Sequence, residues 1–163
     1  MKIPQAIACF QAMDDKTCYN PWAMSILTVT CESLNELSDY RNAGADEAIL
    51  ALKDGAFSSM HEFTCDEILD ACKKAHELGL RLAVLMNRLF GQLEKEKASE
   101  TLRTLLASDV DAIFFADPAM YMLAKKYGVV EKMIYDPETL MTSINDANWW
   151  LSRKIEGIAS HHC

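Results

Sequence analysis

The sequence predicts an α/β fold in which helices cover a parallel β-sheet. Short apolar runs recur along the chain, and each of them ends in a polar residue. Segments with helical spacing lie between these runs, so that one supersecondary unit of about 30 residues repeats. Strands that are apolar on both faces and joined by helical crossovers form parallel sheets. An open doubly wound sheet and a (β/α) barrel both satisfy this pattern.

The first two units are predicted from their β-branched and aliphatic runs. Residues 25–31, SILTVTC, form a strand that ends at Glu32-Ser33, and LNELSDYRNAG (34–44) follows as a helix. The second strand, DEAILAL (46–52), ends at Lys53-Asp54-Gly55.

The helix at 64–79 has the clearest boundaries in the sequence. Thr64 and Glu67 form a capping box at its start, and Gly79 stands where a helix commonly ends. The third strand, LRLAVLM (80–86), comes next and ends at Asn87-Arg88.

The remaining units continue the alternation to the end of the chain. A charged helix at 93–108 precedes a fourth strand at 112–116, which stops at Asp117-Pro118 before another helix. The sequence then predicts a strand at 131–136 that exits through Asp136-Pro137, a helix at 143–154 and a strand at 157–161. The total is about six strands and five helices, whereas a complete barrel has eight units.

Length and composition predict one domain with a substantial core. The chain has 163 residues, of which 50% are hydrophobic and 25% charged, which excludes disordered and collagen-like classes. The net charge of −8 does not favour nucleic acid or anionic lipid, although a local basic patch is compatible with it. No apolar run approaches the roughly 20 residues of a membrane helix. The N-terminus lacks a secretory pattern, and the six cysteines lack CxxC spacing, so we expect a cytoplasmic protein with reduced thiols.

Common site motifs are missing from the strand ends. The sequence has no GxGxxG or GxxxxGK[ST], which disfavours nucleotide binding of those types. The segment HEFTC (61–65) lacks the second His of the HExxH zinc motif.

Four segments resemble a known family when they are taken in order. They are LNELSDYRNAGADEAILAL, FTCDEILDACKKAHELGLRLAVLMN, LLASDVDAIFFADPAMYMLAKKYG and IYDPETLMTSINDANWW. This series resembles the N-terminal half of the collagenase-like proteases, peptidase family U32. The resemblance covers residues 25–163, whereas residues 1–24 match nothing in the family and are taken as an N-terminal extension of unknown role.

The resemblance implies an incomplete TIM-like barrel of about six strands. It also implies a peptidase that hydrolyses peptide bonds, with a divalent metal as a cofactor in some members. A related branch hydroxylates RNA or ubiquinone with an iron–sulfur cluster held by cysteines in the later half, and no such site is evident in this chain. A third alternative is a non-catalytic half-barrel that acts by forming a homo-oligomer through its open barrel edge.

The candidate site consists of polar residues that directly follow predicted strands. In parallel β/α folds, functional groups gather at the carboxyl ends of the strands. The candidate catalytic residues are therefore Glu32, Asn87, Asp117 and Asp136, with Arg88 and Lys53 beside them. A group of carboxylates and one His suits a hard divalent cation or the activation of water, so Asp117, Asp136 and His161 are weak candidates for metal ligands.

Structural roles compete with these assignments. An Asp followed by Pro fits a helix N-cap followed by Pro at the first helical position, which applies to Asp117 and Asp136. Asn87 is equally suited to a turn. The adjacent His161 and His162 would point to opposite faces of an extended segment, so they cannot easily share one metal ion.

Overall fold

A single seven-stranded sheet organises the chain. The computed structural model describes residues 9–10, 26–137 and 143–159. Within these ranges the strand order is β1-β7-β6-β5-β4-β3-β2. The strands are β1 (Cys9–Phe10), β2 (Thr28–Thr30), β3 (Glu47–Ala51), β4 (Arg81–Met86), β5 (Ala112–Phe115), β6 (Met133–Tyr135) and β7 (Gly157–Ala159).

The order of the strands distinguishes a barrel from a doubly wound sheet. From β2 to β7, each strand pairs in parallel with the next strand along the chain. A doubly wound sheet would reverse its strand order at a switch point, and this sheet does not. The six parallel strands form a curled half-barrel, which confirms the predicted incomplete TIM-like barrel.

In the described ranges five helices connect the parallel strands, as predicted, and the four with predicted bounds are one to three residues shorter at each end. They are α1 (Leu37–Asn42), α2 (Cys65–Glu77), α3 (Lys95–Leu106), α4 (Pro118–Tyr127) and α5 (Ile144–Leu151). Thr64 and Glu67 form the predicted capping box of α2. Gly79 follows that helix with φ +69°, a left-handed conformation that glycine adopts without steric cost.

The sheet has two buried faces because its side chains alternate. On the outer face, Leu50, Leu82 and Phe115 belong to the main core with Ile68 of α2 and Leu102 of α3. The inner face carries a second cluster, and each member is at most 1% exposed: Ile49, Ala83, Ala112, Phe114, Ile134 and Ala159. The inside of the half-barrel is therefore a packed core, as in a complete barrel.

The strand β1 was not predicted. Cys9 and Phe10 pair antiparallel with Ile158 and Ala159 of β7, so one edge of the sheet is covered by the N-terminal region. A two-residue strand carries no hydrophobic period of its own, which is why the sequence pattern gave no signal for it. The predicted strand at 131–136 is also shorter than expected, because residues 130–132 form a 3₁₀ turn before β6.

Residues 1–8 and 11–25 lie outside the described ranges, so the domain boundary after residue 24 stays a prediction. In the part of the chain that the structure describes, no helix combines the length and the apolar character that a membrane crossing requires.

A network of charged side chains lies at the amino ends of the strands. Arg81 of β4 places its guanidinium 3.5 Å from the Glu47 carboxylate and 2.6 Å from that of Glu156, just before β7. Thr28 of β2 donates a hydrogen bond to Glu47 at 3.2 Å. Burial raises the pKa of Glu47, while Arg81 and Thr28 act in the opposite direction. In parallel β/α barrels, this end contributes to stability rather than to catalysis.

Candidate functional site

Two of the predicted site residues meet at the carboxyl ends of the strands. Asn87 directly follows β4 and Asp136 directly follows β6, and both are buried, at 2% and 1% exposure. The Asn87 side-chain amide donates a hydrogen bond from Nδ2 to Oδ2 of Asp136 at 3.0 Å. Because β5 separates β4 from β6 in the sheet, this bond reaches across one strand.

The alternation of side chains along each strand places the pair inside the half-barrel. Asn87 keeps the phase of Ala83, and Asp136 keeps the phase of Ile134, which both face the inner core cluster. The backbone N–H of Asp136 donates to the carbonyl of Phe115 at 2.7 Å, so the end of β6 is held against β5.

A third loop holds the amide of Asn87 from the other side. The backbone N–H of Phe57, in the loop after β3, donates to Oδ1 of Asn87 at 3.0 Å. This contact fixes the orientation of the amide, because Oδ1 accepts from the loop while Nδ2 donates to the carboxylate. Asn87 therefore links the loops that follow β3, β4 and β6.

A carboxylate that is fixed by an amide at the inner end of a barrel has two chemical uses. It can accept a proton from a substrate group or a water molecule, and the pair can orient a polar group by hydrogen bonding. Both uses require that the side chains lie within hydrogen-bond reach of the reacting atom. Burial of the pair and the two hydrogen bonds of the Asn87 amide hold the side chains in one position.

Asp117 takes the structural role that competed with catalysis. Its Oδ1 accepts from the backbone N–H of Ala119 at 2.8 Å, which makes Asp117 the N-cap of α4, and Pro118 is the first helical residue. Its Oδ2 accepts from the backbone N–H of Phe90 at 3.2 Å. Both oxygens therefore bind backbone amides, and Asp117 joins the loop after β4 to the start of α4.

Asp136 does not cap the helix that follows β6. The N-cap of α5 is Ser143, whose side chain accepts a hydrogen bond from the backbone N–H of Asn145. The carboxylate of Asp136 is instead directed at Asn87. The two Asp-Pro pairs in the sequence thus have different roles, although they look alike.

The remaining predicted residues do not join the pair within the described ranges. Glu32 is exposed beyond β2, four strands away from β6 in the sheet order. Its backbone N–H donates to the hydroxyl of Tyr40 at 3.2 Å. His161 lies outside the described residues. Lys53 is exposed in the turn after β3, and Arg88 is half-buried after β4.

The described residues do not fit an iron–sulfur cluster. Cys31 directly follows β2, and Cys65 and Cys72 lie seven residues apart on α2. Burial raises the pKa of the Cys31 and Cys72 thiols to about 11 each, which opposes the thiolate form that such clusters need. Among the described side chains, no group of three or more His, Cys, Asp or Glu residues is arranged to hold a metal ion.

The contribution of the loop after β3 was not predicted from the sequence. Besides the contact from Phe57, the carbonyl of Gly55 accepts a hydrogen bond from the backbone N–H of Arg88 at 3.0 Å. Both contacts use backbone atoms of the loop, and a hydrogen bond from a backbone amide 30 residues earlier leaves no signal in side-chain patterns. The only hint is that Lys53-Asp54-Gly55 is a turn signal directly after a strand.

A family model and a solved structure both point to one peptidase family. The family model of peptidase family U32 matches residues 32–159. The chain is 27% identical over 124 residues to the tRNA hydroxylation protein P2 of Bacillus subtilis (strain 168), covering 76% of this chain and 40% of that protein. It is also similar to the solved structure of the U32 peptidase Mk0906, with a TM-score of 0.66, 20% identity, and coverage of 87% of this chain and 60% of that one.

The chain therefore spans less than half the length of the tRNA hydroxylation protein that it matches. It spans about three fifths of the solved U32 structure. At 20% identity, the second likeness shows the fold alone.

Proposed function

Because the chain belongs to peptidase family U32, we propose that it forms the substrate-binding barrel portion of a family member that takes part in the hydroxylation of tRNA. The observation that carries this proposal is the similarity to the tRNA hydroxylation protein P2, which extends over 76% of the chain. In this proposal the Asn87–Asp136 pair orients the nucleotide that is modified.

The geometry of the pair is suited to that role. A nucleobase edge presents donors and acceptors close together, and an amide beside a carboxylate offers both kinds of partner. Both side chains are buried at the inner end of the half-barrel, where water competes weakly for the hydrogen bonds of a bound base. The cysteines among the described residues do not fit a cluster, so no step of the oxidation is assigned to this part of the chain.

The test is a comparison of tRNA from cells with and without the gene. We expect deletion to remove a nucleoside that is heavier than its precursor by one oxygen atom, measured by mass spectrometry of digested tRNA. Expression of the full-length wild-type protein should restore it, whereas Asn87→Ala and Asp136→Asn should each reduce restoration at least tenfold. Lys73→Gln serves as the control, because Lys73 is exposed on α2 and pairs only weakly with Asp70. Unchanged hydroxylated nucleosides after deletion would refute the proposal.

Peptide hydrolysis is the second candidate, and the family model favours it through the peptidases that give the family its name. Asp136 would then activate water as a general base. The full-length protein should cleave a fluorogenic peptide library, and Asp136→Asn should abolish cleavage while the free energy of unfolding changes little. Cleavage that survives in Asp136→Asn would remove this residue from such a site.

Association through the sheet edge is a third candidate role. Among the described strands, β2 pairs only with β3, and Ile26 and Leu27 beside it are 37% and 42% exposed. Unpaired strand edges with apolar neighbours favour pairing with another chain. Light scattering coupled to size exclusion should then show a dimer, which Leu27→Lys should dissociate; a wild-type monomer at all concentrations would argue against this role.

A further inference from the structure

A groove on the outer side of the strand ends is separate from the Asn87–Asp136 pair. It has a volume of about 330 Å³ and lies between the turn after β3, the loop after β4 and the first turns of α3. This volume is at the lower end of the range of about 300–1,000 Å³ that small-molecule sites occupy. Arg88 lines the groove while its neighbour Asn87 faces the inner core, so the two sites adjoin across one peptide bond.

Three cationic side chains line the groove: Lys53, Arg88 and Lys97. Lys97 is 3.2 Å from Asp54, and both side chains are largely exposed, so this ion pair is weak and readily exchanged. Arg88 pairs with Glu94, whose side chain is about half exposed. The three cations of the groove outnumber its two carboxylates, each of which is already paired, on a chain whose net charge is −8.

Arg88 carries donor capacity that the described protein does not use. Its Nε is buried and has no hydrogen-bond partner in the part of the chain that the structure describes. A buried donor without a partner destabilises the fold, and a ligand oxygen would offset this cost after a small movement of the side chain. A guanidinium also binds phosphate in a bidentate way, which makes arginine suited to this ligand.

The floor of the groove is apolar. Leu52, Met86 and Ala98 lie there, and the Arg88 guanidinium is stacked 5.3 Å above the centre of the Phe90 ring. Nucleobases that leave a stack commonly rest on aromatic rings or on arginine planes. A groove with cations at the rim and an arginine–phenylalanine stack therefore matches a phosphate together with the base that it carries.

We infer that this groove binds one phosphate-bearing nucleotide of the RNA substrate, next to the nucleotide held by Asn87 and Asp136. The inference rests on the proposed function, and it assigns the groove a positioning role outside the chemistry. The incoming phosphate displaces Asp54 from Lys97 and is bound by Lys97, Arg88 and Lys53. The base lies against the Arg88–Phe90 stack.

The test measures binding of a fluorescently labelled single-stranded RNA and of tRNA by anisotropy, with the full-length protein. Lys97→Gln and Arg88→Gln should each weaken binding about threefold to tenfold. Each should also lower the slope of log Kd against log salt concentration by about 0.7 for the lost phosphate contact. The control Lys73→Gln removes an exposed lysine that also pairs with an aspartate, outside the groove, and should leave both quantities unchanged.

Equal binding by wild type, Lys97→Gln and Lys73→Gln would overturn the inference, and Lys97→Gln decides alone if Arg88→Gln does not fold. Competition with a nucleoside monophosphate tests the source of the phosphate. If the mononucleotide binds in a Lys97-dependent way and RNA does not bind, the groove serves a free nucleotide and the inference fails. Loss of RNA affinity in Lys97→Gln together with unchanged tRNA nucleosides after gene deletion would refute the proposed function and leave the groove intact.

Discussion

Replacing Asn87 by Asp tests the central contact of the site with a change of almost no volume. The substitution places a second carboxyl group where the amide now lies 3.0 Å from Oδ2 of Asp136. Two unit charges at that distance repel by about 5–6 kcal/mol at an effective dielectric constant of about 20. Binding a proton to a carboxyl of ordinary pKa near 3.9 costs about 4 kcal/mol at about pH 7. Protonation is the cheaper route, so the pair should keep one proton.

The expected loss of unfolding free energy is therefore about 4 kcal/mol at about pH 7. The folded pKa of the pair is raised above the unfolded value, so the stability lost at neutral pH returns as the pH falls. At about pH 5 the cost of the same proton is only about 1.5 kcal/mol. The difference between variant and wild type should shrink by about 2.7 kcal/mol over those two pH units, which is the signature of one bound proton.

Urea unfolding followed by tryptophan fluorescence provides the measurement, since Trp150 is buried against Tyr135 with ring centres 4.1 Å apart. Asn87→Ala is the matched control. It removes the hydrogen bonds to Phe57 and Asp136 without adding a charge, so we expect a loss of about 1–3 kcal/mol at about pH 7 that varies with pH less than the loss in Asn87→Asp.

The double variant Asn87→Asp with Asp136→Asn restores one carboxylate and one amide in exchanged positions. It should recover most of the stability that Asn87→Asp loses, because the amide at position 136 then donates a hydrogen bond to the carboxylate at position 87. A stability difference between Asn87→Asp and wild type that is flat between about pH 5 and about pH 7 would show that the two side chains are not in contact.

Three further changes test other parts of the fold by the same unfolding assay. Asp117→Ala should cost about 1–2 kcal/mol because the N–H groups of Ala119 and Phe90 lose their acceptor, whereas Asp117→Asn should retain most of the stability. Burial raises the pKa of Glu47 above its ordinary value of 4.5, so its ionised form weakens the fold at neutral pH. Wild type should therefore gain stability relative to Glu47→Gln as the pH falls from neutral towards 4.5. Gly128→Ala should lower the free energy of unfolding by about 1 kcal/mol, because Gly128 ends α4 in the left-handed conformation at φ +74°. The cost is limited to this backbone strain, since no described atom lies near enough to obstruct a Cβ.

Each of these changes has an outcome that contradicts its premise. Equal stability of Asp117→Ala and Asp117→Asn would mean that the cap contributes nothing. A difference between wild type and Glu47→Gln that does not vary with pH would show that Glu47 is not buried as a carboxylate. If Gly128→Ala is as stable as wild type, the end of α4 does not have the left-handed backbone conformation.

Most of the fold could be predicted because its signals are local. The alternation of apolar strands and amphipathic helices, the capping box at Thr64 and the helix end at Gly79 each depend on residues that are neighbours in the sequence. The candidate site could be predicted only as a set of strand ends. Periodicity identifies which residues follow strands, but it does not measure the distance between two strand ends after the sheet has curled.

The two Asp-Pro pairs show where local signals stop. Asp117 and Asp136 have the same sequence context, yet Asp117 binds the amides of Phe90 and Ala119, while Asp136 lies buried against Asn87. The difference arises from side-chain phase and from the loop that each residue meets. Neither property can be obtained from the dipeptide itself.

The sequence by itself determined the repeating β/α units and the approximate positions of their strands and helices, because hydrophobic period and capping act over a few residues. Only the tertiary structure decided that the strands follow one another in order, that β1 covers one edge, and that Asn87 reaches Asp136 while Asp117 and Glu32 do not. Those outcomes depend on the curl of the sheet and on contacts between residues that are 30 or 49 positions apart. Such contacts form only when the whole chain has packed.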